Sequence, residues 1–264
     1  MNEIVAVDQE LLAKLDAMND DGKSSSNSRS SDGVTTPILK ISYNNGHAGH
    51  FHLNHLGQDY FSEKVTFRPL IQTFKWSHFD FDTKEMVVET IEIRNIFQEE
   101  PIDTKGTIRC GKPPSKNLDK EAREKWKHIT FNRILRGLVD INELTNIPCI
   151  MYLKGASRDV FEDQYFDKLT GSHHMRDFKC DLSTKQEKQG AVKYFVLVVD
   201  PKLDDQIPVD QPTVDTIQVF TKQIEDKNKA IRDKYTETLK ANNEDQTSIK
   251  ALRDALDDEF KEAS

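Results

Sequence analysis

Between Ile38 and Ile93 short apolar stretches alternate with polar ones. ILKISY (38–43), GHFHLNH (49–55), KVTFRPL (64–70), IQTFKWSHFD (71–80) and MVVETIEI (86–93) read as strands. Their spacing, roughly ten residues from one to the next, is that of an antiparallel barrel or sandwich. From about Asn117 the period changes. Asn117 can cap a helix, Asp119 and Glu121 fall in its first turn, and Phe131, Ile134, Leu135 and Leu138 recur at i, i+3, i+4 and i+7. That pattern predicts a helix with one buried stripe. IPCIMYLKG (147–155) reads as a strand and RDVFEDQYFDKL (158–169) as a short helix. MRDFKCDLS (175–183) and AVKYFVLVVD (191–200) read as two last strands, with KQEKQG as a hairpin-type connection.

The flanks differ from this middle. Residues 4–18 form a short amphipathic helix with Leu11, Leu12, Leu15 and Met18 on one face, followed by a Ser/Asn/Gly-rich stretch that cannot build a core. Residues 201–212 are rich in Pro and Asp. Beyond them Ile217, Phe220, Ile224, Ile231 and Tyr235 trace one helix, and Ile249, Leu252, Leu256 and Phe260 a second. The pattern therefore predicts an α+β chain in three parts. Residues 1–36 are a helix and linker, and 37–200 are an OB-fold-like antiparallel β-barrel core with an inserted basic helix. Residues 201–264 are a linker and acidic C-terminal helices, a pair suited to self-association. A β-sandwich core fits the strand spacing nearly as well.

Charge sharpens this division. Of the net −8, residues 1–37 carry −4 and residues 201–264 carry −5, while the middle is balanced. Within that middle, Thr104–Arg136 holds ten Lys/Arg against three acids. Arg109 and Lys112 lie in its Gly/Pro-rich turn. Lys120, Arg123 and Lys127 line one face of the expected helix, Lys116 leads into it, and Arg133 and Arg136 close it. A basic face of this kind suits a polyanion, although a solvated helix laced with i,i+4 pairs is the plainer alternative. The charged fraction of 31% and a mean hydropathy of −0.68 indicate a polar surface. The longest apolar run, Tyr194–Val199, falls far short of the about 20 residues a bilayer span needs. No basic stretch followed by an apolar one opens the sequence, so no secretory signal and no membrane partner are expected. Three dispersed cysteines (Cys110, Cys149, Cys180) without a CxxC pair point to a reducing, cytoplasmic setting.

Aromatic and basic residues interleave in the strands, with Phe67-Arg68 followed by Phe74-Lys75-Trp76. Unpaired bases stack on aromatic rings while Lys and Arg hold phosphates. Phe74 and Trp76 share one strand face, so they are either a stacking platform or core. His47, His50, His52 and His55 cluster, and His50 and His52 share a face that permits metal ligation. No thiolate accompanies them, and the only carboxylate near ligand spacing is Asp59. No phosphate-loop, nucleophile-elbow, HExxH or GxGxxG motif occurs, so no enzyme and no cofactor are expected. Asp80/Asp82 and Glu99/Glu100 with Asp103 leave a two-metal nuclease as a minor reading.

FRPLIQTFKW, DTKGTIRCGKP and IPCIMYLKGAS, together with the basic segment, resemble single-stranded-DNA-binding proteins of tailed bacteriophages over residues 37–200. The resemblance implies an OB-type fold, non-sequence-specific binding of single-stranded DNA, and a role in phage replication or recombination in the host-cell cytoplasm. It assigns DNA contact to Phe74, Lys75, Trp76, Arg109 and Lys112. Asp257-Asp258-Glu259-Phe260 resembles the acidic, aromatic-bearing tails with which such proteins recruit replication or recombination partners. It departs from them in that Lys261–Ser264 follow the aromatic. The competing expectation is a virion or scaffold component whose helices mediate assembly.

Overall fold

The computed structural model describes residues 36–80, 82–99, 101–105, 128–171, 173–190 and 192–241. They fall into two compact units. The sheet unit comprises residues 36–72 and the described residues of 132–217. The helix unit comprises the described residues of 73–131 and residues 218–241.

The strands are β1 (Ile38–Ile41), β2 (Phe51–His55), β3 (Gln58–Ser62), β4 (Lys64–Asp80), β5 (Glu85–Glu89), β6 (Thr130–Ile141), β7 (Leu144–Leu153), β8 (Cys180–Gln189) and β9 (Val192–Pro201). The helices are α1 (Ala156–Gln164) and α2 (Gln211–Ala241). In the sheet unit the order is β3-β2-β1-β7-β6-β4-β8-β9. The pairs β1–β2, β2–β3, β6–β7, β4–β8 and β8–β9 are antiparallel, and β1–β7 is parallel. The chain is thus α+β, with a large, mostly antiparallel open sheet and a C-terminal helix. Among the described residues no ladder joins the two ends of the sheet, and no helix is long and apolar enough to cross a membrane.

A large apolar core lies on one face of the sheet in this unit. Leu39, Phe51, Leu53, Val65, Phe67, Leu135, Val139, Met151, Leu182 and Leu197 meet Phe161 and Tyr165 from α1 and the turn after it. Every second residue of β1, β2 and β7 points into this core, as strand alternation requires. Gly137, in the middle of β6, is obligatory for a different reason. A Cβ there would lie 2.2 Å from the Arg68 carbonyl and 2.7 Å from the Phe67 ring. Pro69 lies in β4 beyond the end of its ladder with β8, which stops at Phe67↔Cys180.

Two expectations are corrected. The basic helix expected through Arg136 gives way to β6 from Thr130 onward; its portion from Asn117 to Lys127 lies outside the described residues. Both faces of β6 are buried, Leu135 and Val139 on one and Ile134, Arg136 and Leu138 on the other. A two-sided apolar strand imitates the i, i+3, i+4, i+7 spacing, and periodicity alone does not separate the two. The strands expected at 64–70 and 71–80 are one 17-residue strand, β4. The N-terminal helix and the second C-terminal helix lie outside the described residues.

In the helix unit the second half of β4 pairs with β5, from Ser77↔Glu89 to Asp80↔Glu85. Phe74, Trp76, Val88, Ile91 and Ile93 form its core with Ile231 of α2, and Ile102, Ile129 and Phe131 pack against it. Asn228 of α2 accepts the Glu92 N–H and donates to the Glu92 carbonyl, both at 2.8 Å. One amide side chain thereby satisfies both polar groups of a buried backbone unit.

Candidate nucleic-acid interface

The described residues assigned to phosphate or base contact are buried. Arg68 donates from Nε to the Arg176 carbonyl at 2.6 Å and from Nη2 to the carbonyls of Ile207 and Pro208, both at 3.1 Å. It ties loops together, and burial lowers its pKa. Lys75 donates to Glu89, and burial lowers its pKa too. Phe74 and Trp76 stack on Phe131, with ring centroids 5.8 and 4.5 Å apart. Trp76 is only 5% exposed. Arg133 donates to Glu162 and lies over the Phe166 ring, 4.9 Å from its centroid. Burial, with Arg158 pushing the same way, brings the Arg133 pKa down to about 10. Arg136 is buried in β6. These six side chains hold the fold, and a strand passing over the surface does not reach them. Arg109, Lys112, Lys116, Lys120, Arg123 and Lys127 lie outside the described residues, as do Asp257, Asp258, Glu259 and Phe260.

Of the carboxylates read as a two-metal set, Asp80, Glu99 and Asp103 are engaged as well, and Glu100 lies outside the described residues. Asp80 accepts the N–H groups of Asp82 and Thr83, Glu99 those of Arg94 and Asn95, and Asp103 that of Lys105. Each is a carboxylate closing a turn. No group of three or more metal-ligating side chains occurs among the described residues. Cys149 and Cys180 are buried thiols whose pKa values desolvation raises, which makes them inert packing groups.

A different arrangement of the same residue types lies in the sheet unit. Strand β1 changes partner along its length. Ile38 and Leu39 pair with Ile150 and Met151 of β7, whereas Lys40 and Ile41 pair with His52 and Phe51 of β2. Beyond Leu39 the β1–β7 ladder is therefore split, and a groove of about 410 Å³ opens there. Its lining includes Lys40 and Tyr43 after the switch, Tyr152 and Lys154 at the end of β7, and Tyr194 and Phe195 of β9. Tyr43 is 62% and Tyr152 38% exposed. The rings of Tyr43 and Phe195 meet edge to face at 5.7 Å. The Tyr194 hydroxyl donates to Glu187 at 3.3 Å, and Lys185 pairs with the same carboxylate at 2.8 Å.

The lining holds two lysines and no carboxylate. Backbone groups add to it. Ser157 and Gln164 of α1 accept the edge N–H groups of Leu197 and Val199, at 3.3 and 2.9 Å. By the two-residue alternation of a strand, the N–H of Phe195 points to the same open edge, at the groove. Gly49 makes room for the Phe195 ring, since a Cβ there would come within 2.6 Å of it. The sequence signal for this site is thin. Tyr152-Leu153-Lys154 and Lys193-Tyr194 carry it, on strands far apart in the chain, each resembling an ordinary exposed strand end. No protein-family model matches this chain, nor does any curated protein sequence or any solved structure.

Proposed function

We propose that the chain binds single-stranded DNA without sequence specificity, in replication or recombination, and that its open sheet is an OB-type barrel interrupted at the groove. The observation that carries this reading is the groove itself. It offers exposed tyrosine rings, two lysines and no acid, in a cleft of the size that takes small ligands, about 300–1,000 Å³. Base stacking on such rings is tolerant of sequence, and duplex bases are not available for it. The approach of the β8–β9 hairpin to the β1–β2 connection supports the barrel reading: the Thr184 hydroxyl of β8 donates to the Gly49 carbonyl at 2.6 Å. The seven Lys/Arg between Arg109 and Lys127 add a basic segment to the same reading.

The test is a titration with single-stranded and duplex oligonucleotides at several salt concentrations. The single strand binds in preference, with a log–log slope of about −0.7 per phosphate contact. Lys154→Glu weakens binding and flattens that slope by about 0.7. Tyr152→Ala costs about 1–3 kcal/mol of affinity at unchanged melting temperature. Equal affinity for duplex, or a slope near zero, overturns the proposal.

A further inference from the structure

The histidine cluster has no part in the groove, yet it is the most ordered aromatic arrangement on the surface of the sheet unit. Phe61 of β3 lies between two imidazoles. His47 stacks on it with centroids 4.1 Å apart and planes 14° apart, and His52 at 4.6 Å and 10°. Both histidines are held in place. The His47 N–H donates to the Asn44 carbonyl, and the His47 carbonyl accepts the His50 N–H, each at 3.1 Å. His52 Nε2–H donates to Asp59 at 2.8 Å, and Asn54 donates to the same carboxylate oxygen at 2.8 Å.

Strand register ties this column to the groove. Lys40 pairs with His52, and His52 with Phe61. Leu39, Phe51 and Leu53 face the core, so Lys40, His52 and Phe61 form one row on the outward face. Tyr152, one step beyond the Leu39↔Met151 pair, begins the row on β7. Tyr152 and Lys40 also line the groove. With paired strands about 4.8 Å apart, the row from Lys40 to Phe61 is about 10 Å long, and Tyr152 faces it across the groove. A stacked column is a costly arrangement to order from free side chains, and here it is already assembled and ends in the exposed ring of His47.

We propose that the His47–Phe61–His52 column is a second stacking subsite, which takes an unpaired nucleobase of a strand that leaves the groove across β1 and β2. This rests on the groove reading. Asp59 and Glu63 flank the column, Glu63 at 3.7 Å from His50. The subsite therefore supplies ring contact and no phosphate neutralisation.

The experiment uses the full chain with oligothymidylates of about 4 to 16 nucleotides, the range of site sizes for such folds. His47→Ala weakens the long oligonucleotides by about 5- to 150-fold, the equivalent of one lost base stack. It leaves the short ones and the salt slope unchanged, and His47→Phe restores the loss. Lys154→Glu, by contrast, weakens every length and flattens the slope. If wild type binds and Lys154→Glu weakens it while His47→Ala is silent or acts equally at all lengths, the second subsite is overturned and the groove stands. If wild type binds no oligonucleotide, both fall.

Discussion

Trp76→Ala removes a ring packed 4.5 Å from Phe131 in the core of the helix unit. A loss of about 3–5 kcal/mol in urea unfolding is expected, the ordinary cost of deleting a buried aromatic. Full stability with reduced affinity for DNA would instead make the ring a surface platform. The contrast between Trp76 and Tyr152 shows what a residue-level reading can extract. Both sit in strands within two residues of a lysine, and the interleaving looks richer around Trp76. The deciding facts are partners that no local spacing discloses. Glu89 takes up Lys75, and Glu162 takes up Arg133. Once a buried cation is paired with a carboxylate, its presence beside an aromatic says nothing about phosphates.

At the scale of elements, Asn228 is the most specific fastening. Asn228→Ala leaves the Glu92 N–H and carbonyl without the amide that serves both, at about 1–3 kcal/mol for each buried group. Thermal and urea unfolding should both register the loss, and a variant as stable as wild type would show that water substitutes for the amide. Most strands were legible because they are short apolar stretches bounded by polar or turn residues, β2 alternating cleanly and β9 carrying a short continuous apolar run. The helix stripe of Ile217, Phe220, Ile224 and Ile231 was legible too, and all four are buried. β6 was not, since it is covered on both faces. The groove could not be read either, because it arises from a change of pairing partner in β1, and that is a property of register rather than composition.

For the molecule as a whole, the opposed charges of two segments matter most. In the sequence a basic segment follows Lys105 and an acidic one follows Ala241. Shortly before them, the Thr238 hydroxyl donates to the Thr104 carbonyl at 3.2 Å. A tethered acidic segment competes with DNA at high effective concentration. Deleting residues 245–264 should tighten DNA binding at low salt. The gain should fade as the Debye length drops from about 30 Å at 0.01 M to about 3 Å at 1 M. Unchanged affinity with a lower melting temperature would mean that the segment only packs.

The contribution of Ile231 to the core around Trp76 also bears on how the protein is made. Phe74, Trp76, Val88, Ile91 and Ile93 leave the ribosome long before α2, and the side chain that completes their core arrives only with residue 231. At about 5–20 residues per second, that interval lasts roughly seven to thirty seconds. Throughout it the nascent chain holds an aromatic surface on the β4–β5 hairpin without the helix that covers it, the condition in which chains associate with one another or with chaperones. The helix unit is therefore the late-folding part of this protein, and a stalled or shortened chain lacking α2 would be prone to aggregate through the strand that carries Trp76.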